Sequence, residues 1–302
     1  MFKKIFIIGK GSGAQNHIKA LNKINKKFIV KNIPSRFPKK NLGKKFSLIK
    51  NFNPDYIIIS SAASTHYEYF KIIEKIFKNK TVLIEKPLFN KFIKLNKIKN
   101  NKYFVGYNLR YHPVSQYIKK YLYKKKIFNV YMNNSSFLPQ WRKAISYENS
   151  VSAQKKLGGG VRLELSHDID YLNLIFGNLK ILYVFNKKIS NLKINCDDIL
   201  LVNALTKKNI IINLSIDFFS RIKNRKIIIN GKDFCIKGDF LKNAISLNEK
   251  GKLRKLKFDN FNIKKTYRDM HLDIMKKTFK YSCSIQQAYK VQKTLEILKD
   301  NK

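Results

Sequence analysis

The feature that most constrains this chain is a glycine-rich turn that directly follows a short apolar strand. The strand pattern ends at Ile8, and Gly9-Lys10-Gly11-Ser12-Gly13-Ala14 leads into a helical pattern that continues to about Leu21. In a G-x-G-x-x-A turn, the first glycine permits a tight bend and the second lets the backbone approach a pyrophosphate. The alanine is small enough for close packing of the helix on the strand.

The start of the helix after this turn is the expected anion site. Its first N–H groups have no partner within the helix, so they can donate to a phosphate bound at that end. The pattern predicts dinucleotide binding, and the alternative is a glycine turn in an unrelated α/β protein. The residues expected at the phosphates are Gly9, Gly11, Ser12, Gly13 and Ala14.

The end of the second predicted strand bears on which dinucleotide is bound. An acidic residue there would hold a ribose 2′-hydroxyl, but the sequence has no Asp or Glu between Phe28 and Pro54. The strand instead ends in Pro34-Ser35-Arg36, and an arginine beside a serine can accommodate a 2′-phosphate. We therefore expect NAD(P) as the cofactor, with a preference for NADP and with Ser35 and Arg36 at the extra phosphate.

The order of strand and helix patterns predicts an α/β protein of two domains. The first third alternates short apolar strands with helical segments, which is typical of a parallel sheet. A helix is expected over residues 65–77 with Thr65 as its N-cap. The strands are expected over residues 5–9, 28–33, 56–60, 82–85 and 103–106.

After Asn108 the pattern changes to a helix over residues 113–124 and a strand over residues 127–133. Residues 161–176 read as one helix that Gly177 ends. Residues 212–218 are apolar on alternate positions, which indicates an antiparallel sheet with one solvated face. A closing helix over residues 267–298 is expected to pack back on the first domain. We place the domains at residues 1–112 and 113–302.

Charge and cysteine content narrow the classes of partner. The net charge is +44, but only eight of the 63 basic residues are arginines and the lysines are spread along the chain. Specific readers of nucleic acid rely on arginine, so we expect a solvated basic surface and no specific nucleic-acid partner.

Three distant cysteines form no disulfide or zinc pattern. With no apolar run of about 20 residues, we expect a cytoplasmic protein without a membrane span.

Lys86 stands at the carboxyl end of a predicted strand, within Glu85-Lys86-Pro87. Open α/β sheets bind their ligands at that edge. A lysine there can polarise a carbonyl or stabilise an alkoxide, whereas the alternative is an ordinary surface lysine before a turn.

Glu164, His167 and Asp170 are spaced i, i+3 and i+6, so they share one face of the expected helix. A carboxylate beside an imidazole orients the ring, as a general acid/base requires. The alternative is a structural histidine. The other histidines show no metal-ligand spacing, and no metal is expected.

Together these segments resemble the Gfo/Idh/MocA family, named for glucose-fructose oxidoreductase and inositol dehydrogenase. The ordered set covers most of the first 180 residues. It comprises the glycine turn with His17, Pro54-Asp55-Tyr56 leading to His66, Glu85-Lys86-Pro87, Gly106-Tyr107-Asn108-Leu109-Arg110-Tyr111-His112-Pro113, Trp141-Arg142, and Gly158-Gly159-Gly160 continuing to His167-Asp168-Ile169-Asp170.

The resemblance implies an N-terminal Rossmann domain with a parallel sheet, plus a C-terminal α/β domain with an open, mostly antiparallel sheet. It gives Lys86 the role of holding the reacting oxygen and His167 that of general acid/base. Glu164 stands one residue after the position of the family's aspartate, which is Leu163 here. Further cofactor contacts are implied for Ser61, His66, Glu85 and Lys86. Substrate contacts are implied for Asn108, Arg110, Trp141, Arg142 and Asp170.

The implied function is an NAD(P)-dependent oxidoreductase that acts on a carbinol carbon of a sugar, sugar derivative or polyol. The stretch from Trp141 to His167 is similar to members that act on activated or acidic sugars in surface-glycan pathways. The family also implies a homodimer or homotetramer formed through the C-terminal sheet. A non-catalytic cofactor-binding regulator or scaffold of the same fold is the main alternative, and a polyanion-binding protein is a third.

Overall fold

The computed structural model describes residues 2–25, 27–34, 42–95, 98–141 and 146–299, with residues 42–45 described by their backbone alone. These residues form two compact units. The first comprises the residues up to Asn108 together with Asn262–Gln292, and the second comprises Leu109–Phe261 with the residues from Lys293 onward.

Helices and strands alternate in the first third of the chain, and strands dominate later. The strands are β1 (Lys4–Ile8), β2 (Ile29–Ile33), β3 (Tyr56–Ile59), β4 (Thr81–Ile84), β5 (Lys102–Val105), β6 (Ile127–Phe137), β7 (Leu179–Lys187), β8 (Ile199–Thr206), β9 (Ile211–Asp217), β10 (Phe219–Gly231), β11 (Phe234–Asp239), β12 (Ala244–Glu249), β13 (Lys252–Lys257) and β14 (Cys283–Ser284). The helices are α1 (Ser12–Ile24), α2 (Leu42–Phe52), α3 (Ala63–Ile76), α4 (Pro113–Tyr121), α5 (Val161–Glu164), α6 (His167–Phe176), α7 (Lys265–Met275) and α8 (Ile285–Ile297).

The first unit contains a six-stranded sheet in the order β14-β5-β4-β3-β1-β2. β2, β1, β3, β4 and β5 pair in parallel, and β14 adds one short antiparallel strand at the β5 edge. All four residues of β3 are buried, as expected for a parallel strand covered on both faces. The residues that follow β1, β3, β4 and β5 therefore lie along one carboxyl edge: Gly9, Ser60, Glu85 and Gly106.

Two local expectations for the first unit are wrong. α3 begins at Ala63 with Ala62 as its N-cap, so Thr65 lies in the first turn. The Thr65 hydroxyl donates to the carbonyl of Ala62 and to the hydroxyl of Ser61 rather than accepting an N–H group. The chain enters the helix earlier than expected because Ala62 already holds an extended backbone (φ −65°, ψ 142°) that turns into it.

The predicted closing helix over residues 267–298 is two helices, α7 and α8, separated by a turn and β14. The buried Asp273 carboxylate stops the first helix, because it accepts the N–H groups of Lys280 and Ser282 at 2.8 and 2.9 Å. Phe279 adopts a positive φ of 50° within this turn. α7 packs against α1 within the first unit.

The second unit contains an eight-stranded sheet in the order β13-β12-β11-β10-β6-β9-β8-β7. Neighbouring strands are antiparallel except for β6 and β9, which are parallel. β8 alternates more and less buried residues, as a sheet with one core face requires. The two sheets confirm the predicted fold class.

The helix expected over residues 161–176 is also interrupted, with α5 ending at Glu164 and α6 beginning at His167. The two pieces have different anchors in the second unit. Asp197 accepts the N–H group of Arg162 at 2.8 Å, whereas Asp168 in α6 contacts the sheet. The break lets each short helix meet its own partner, which one continuous helix would not.

Across the described residues, no helix combines the length and the apolar character needed to cross a membrane.

Candidate active site

The glycine turn lies where β1 ends, at the carboxyl edge of the first sheet. Gly9 adopts a φ of 135°, a conformation that favours glycine, and its N–H group donates to the Ile33 carbonyl at 2.8 Å. A Cβ atom on Gly9 would overlap the Ser60 carbonyl, and one on Gly13 would lie 2.9 Å from Ser60 Oγ. Both positions therefore require glycine for packing against the end of β3.

Gly11 differs from its neighbours because the space around its Cα atom is open. It is exposed, it precedes α1 with an ordinary φ of −71°, and a Cβ atom there would meet nothing within 4 Å. No side chain of the described residues caps the start of α1, while Ala14 is fully buried beneath it. Open space at a helix start with available N–H groups fits a pyrophosphate.

These two glycines give a matched prediction. Gly9→Ala should lower the free energy of unfolding by at least about 1–3 kcal/mol. Alanine is strained at the positive φ of this position, and its Cβ atom would overlap the Ser60 carbonyl. Gly11→Val should change stability by much less yet weaken dinucleotide binding. Urea unfolding and calorimetric titration measure the two effects, and equal losses of stability in both variants would contradict this assignment.

Lys86 follows Glu85 at the carboxyl end of β4, on the same sheet edge as the glycine turn. Glu85 is 9% exposed, and its N–H group continues the sheet by donating to the Ile59 carbonyl at 2.8 Å. The Lys86 N–H group donates to Glu85 Oε2 at 3.1 Å, and the Lys86 residue is half-buried. A cationic side chain therefore stands at the edge where ligands of such sheets bind.

Glu85, predicted to contact the cofactor, lies at one end of a buried line of hydrogen-bonded side chains. His17 Nε2 lies 2.8 Å from Glu85 Oε1, His17 Nδ1 lies 3.0 Å from His271 Nε2, and His271 Nδ1 lies 3.1 Å from the Tyr56 hydroxyl. His17, His271 and Tyr56 are fully buried. Sequence reasoning missed His271 and Tyr56, since no local pattern links residues 215 positions apart.

His66 was also predicted to contact the cofactor. Its ring is buried, and both ring nitrogens face backbone carbonyl groups. Nδ1 lies 3.0 Å from the Pro87 carbonyl and Nε2 lies 3.1 Å from the Ser61 carbonyl. Burial lowers the pKa of His66, although its hydrogen bonds to carbonyl groups act in the opposite direction. His66 thus ties the loop carrying Ser61 to the loop carrying Lys86.

Asn108 is buried in the first unit, where its Nδ2 donates to Thr266 Oγ1 at 2.8 Å. Thr266 belongs to α7, a partner that the sequence pattern did not reveal. This hydrogen bond fixes the Asn108 side chain at the end of the first unit's opening segment.

Arg110 and Asp170, both predicted to contact substrate, form a buried pair in the second unit. Arg110 Nε lies 2.8 Å from Asp170 Oδ2, and Arg110 Nη2 lies 2.6 Å from Asp170 Oδ1. The two side chains are only 4% and 2% exposed. This bidentate pair joins the segment before α4 to α6.

His167 is the first residue of α6 and is half-buried. The expectation that one continuous helix carries Glu164 and His167 is wrong, because Glu164 ends α5. The next residue, Asp168, is fully buried and accepts from Asn134 Nδ2 at 2.6 Å and from Arg225 Nη2 at 2.8 Å. The sheet thereby holds the start of α6, an anchor that the sequence did not reveal.

Trp141 is half-buried in the second unit, with its Nε1 donating to Ser136 Oγ at 3.0 Å. Its ring meets Phe218 edge-on, with centroids 5.1 Å apart. The remaining predicted site residues, Ser35, Arg36 and Arg142, lie outside the described residues.

A metal centre is not built into the described part of the chain, where no three His, Cys, Asp or Glu side chains are grouped to hold an ion. Among the described residues the three cysteines form no disulfide; Cys196 and Cys283 are buried and Cys235 is half-buried.

No protein-family model matches this chain, and no curated protein sequence matches it significantly. Solved structures do match. An oxidoreductase from Thermotoga maritima is 16% identical with a TM-score of 0.78, covering 99% of this chain and 96% of that one. The WlbA dehydrogenase from Bordetella pertussis, solved with NADH and UDP-GlcNAcA, is 14% identical with a TM-score of 0.73, covering 98% and 94%.

A third match is the UDP-N-acetylglucosamine 3-dehydrogenase GnnA from Acidithiobacillus ferrooxidans, 14% identical with a TM-score of 0.71 and 99% coverage of both chains. These neighbours are Gfo/Idh/MocA-type dehydrogenases and oxidoreductases, and each spans nearly the whole chain. The chain therefore has the fold of the Gfo/Idh/MocA oxidoreductases, as the resemblance of its motifs implied.

Proposed function

We propose that this chain is an NAD(P)-dependent oxidoreductase acting on a carbinol carbon of a sugar, sugar derivative or polyol. One observation carries the proposal: the open glycine turn at Gly11 and the cationic Lys86 stand on the same carboxyl edge of one parallel sheet. Neighbours of the same fold include a dehydrogenase solved with NADH and a UDP-sugar, which supports this assignment.

The chain's own residues have distinct roles in this proposal. The N–H groups at the start of α1, with Gly11 and Ser12, bind the pyrophosphate. The bound nicotinamide supplies the hydride chemistry. Lys86 holds the reacting oxygen through its ammonium group, and His167 exchanges the hydroxyl proton. Glu164 stands near His167 in sequence and assists its orientation.

The other predicted site residues act less directly. His66 fixes the loop that carries Ser61, and Ser61 lines the cofactor side of that loop. Asn108, Trp141 and Arg142 contact the substrate in this proposal, while Arg110 and Asp170 join the segment before α4 to α6. Sugar nucleotides of surface-glycan biosynthesis are the substrate class we favour, because one neighbour was solved with UDP-GlcNAcA and another is a UDP-N-acetylglucosamine 3-dehydrogenase.

A substrate panel tests this function. The protein is loaded with oxidised or reduced nicotinamide, UDP-sugars, free sugars and polyols are added in turn, and the absorbance of reduced nicotinamide is followed. Turnover with a sugar supports the enzyme. Tight cofactor binding with no turnover across the panel would favour the alternative, a non-catalytic regulator or scaffold.

The cofactor preference is a further part of the proposal. We expect NADPH to bind more tightly than NADH, because no acid between Phe28 and Pro54 is available for the ribose 2′-hydroxyl. Arg36→Ala should remove the difference. Calorimetric titration with both cofactors measures it, and tighter binding of NADH by the unaltered protein would remove the role given to Ser35 and Arg36.

We also propose that the chain forms a homo-oligomer through the sheet of the second unit. Tyr131 in β6 is 48% exposed and pairs across the sheet with Ile228 and Asn213. This row places an aromatic and an apolar side chain beside the Asn213 amide, and in this proposal a second copy covers it. Light scattering of Tyr131→Lys against the unaltered chain tests the assignment.

A further inference from the structure

A buried line of side chains runs within the first unit from Glu85 through His17 and His271 to Tyr56. It joins β4, α1, α7 and β3 through three hydrogen bonds of 2.8, 3.0 and 3.1 Å. The Tyr267 ring meets His17 edge-on with centroids 5.1 Å apart, which covers the line on one side. Such a buried polar line is stable only if its donors and acceptors alternate correctly.

The direction of these hydrogen bonds follows from the chemistry of the groups. An ionised Glu85 only accepts, so His17 donates from Nε2, and a neutral His17 then accepts at Nδ1. His271 must donate to that atom from Nε2. Its Nδ1 is left as an acceptor for the Tyr56 hydroxyl. All three hydrogen bonds then point towards Glu85.

One added proton changes this arrangement in a defined way. A protonated His17 donates from both ring nitrogens, so His271 Nε2 must become the acceptor. The hydrogen of a neutral His271 then moves to Nδ1 and is donated to the Tyr56 hydroxyl oxygen, whose own hydrogen turns away from His271. The proton reverses two of the three hydrogen bonds and leaves Glu85 paired with a cationic His17.

We propose that Glu85, His17, His271 and Tyr56 form a single-proton relay that sets the charge beside Lys86. His17 and His271 are thus positioning residues, which touch neither substrate nor cofactor. The effect on Lys86 rests on the proposed function, whereas the relay itself does not. Without the proton, Lys86 is the cation that bears on the Glu85 carboxylate; with it, the His17 cation bears on Glu85 as well.

Burial and contacts within the relay shift the pKa of Glu85 and that of His271. Burial raises the pKa of Glu85, but the contacts with His17 and Lys86 outweigh this and hold it below its usual value. Burial, with the influence of His17, holds the pKa of His271 well below its usual value. The titratable groups that bear on Glu85 are His17 from α1, Tyr56 from β3, His66 from α3, Tyr267 from α7 and the adjacent Lys86.

Nitrogen NMR of the full chain without ligand tests the relay, since the sequence has only five histidines. Long-range proton–nitrogen spectra distinguish the two neutral tautomers from the imidazolium. As the pH falls, we expect His271 to change from the Nε2–H to the Nδ1–H tautomer at the same midpoint at which His17 gains its proton. An imidazolium at His271, an unchanged His271 tautomer, or two different midpoints would each overturn the relay.

A matched pair of variants tests the direction in which the shared midpoint moves. Glu85→Gln keeps an acceptor for His17 but removes the negative charge, so the shared midpoint should fall by about one pH unit or more. Glu74→Gln is the control, because Glu74 also accepts several hydrogen bonds in the first unit but lies outside the relay. A midpoint that Glu85→Gln leaves in place, or that Glu74→Gln moves equally, contradicts the proposal.

Activity supplies an independent readout. If the proposed oxidation–reduction is found, kcat/KM should show a pH dependence with the NMR midpoint, and only Glu85→Gln should move it. If His17 and His271 were purely structural, the NMR titration and kcat/KM would not share a midpoint. If the substrate panel shows no turnover, the proposed function fails while the NMR result still decides the relay.

Discussion

Lys86→Met and His167→Asn are each expected to lower kcat about a hundredfold to ten-thousandfold while leaving cofactor affinity nearly unchanged. Lys86 stands on the same sheet edge as the open glycine turn but does not form it, so the pyrophosphate contacts at Gly11 should remain. Methionine keeps the length of the side chain and removes the charge that holds the reacting oxygen. Asparagine removes the proton-exchanging imidazole.

Single-turnover kinetics and calorimetric titration separate the loss of chemistry from a loss of binding. Lys71→Met is the control for Lys86, because Lys71 is an exposed lysine on α3 whose amine lies over the Tyr67 ring. It should keep the full rate. Full turnover of the true substrate by both the Lys86 and the His167 variants would make the proposed mechanism wrong, because the chemistry would then need neither side chain.

Glu164 differs from the rest of the predicted acid/base set because it lies in a different helix from His167. The sequence places it three residues before His167, but the helix ends between them. Glu164→Gln should therefore cost less activity than His167→Asn. An equal loss would mean that the carboxylate acts on the proton transfer as strongly as the ring does.

The parts of the fold that the sequence predicted are those with local causes. The apolar run at residues 56–60 becomes β3 because a parallel strand needs apolar residues on both faces. The interrupted helices were missed because distant residues cause the breaks. Asp273 stops α7 only when the chain folds back on it, and Asp168 meets Arg225 from a strand 57 positions away.

The candidate site divides in the same way. Gly9, Gly11 and Lys86 were recognisable because a turn and a strand end are local patterns. His271 and Thr266 come from α7 and reach residues of the opening segment that are 254 and 158 positions away. Arg110 was assigned to the substrate by resemblance alone, since a lone sequence does not show that it pairs with Asp170.

Asp170→Asn should lower the free energy of unfolding of the second unit by about 3–5 kcal/mol. The change leaves the Arg110 guanidinium buried at 4% exposure without its opposite charge. Desolvation of a single buried charge is far more costly than that of a pair, because no partner offsets it. The loss is a large share of the roughly 5–15 kcal/mol by which a protein is usually stable.

Urea unfolding followed by tryptophan fluorescence reports this change, since the only tryptophan, Trp141, lies in the second unit. Asp259→Asn is the control, because Asp259 pairs with Lys257 on the surface at 65% exposure and should leave the midpoint unchanged. The double variant Arg110→Met with Asp170→Leu should recover most of the stability, as apolar side chains of similar size replace both charges. An Asp170→Asn protein as stable as the unaltered chain would show that Arg110 is not held by this pair and would restore the direct substrate role predicted for both residues.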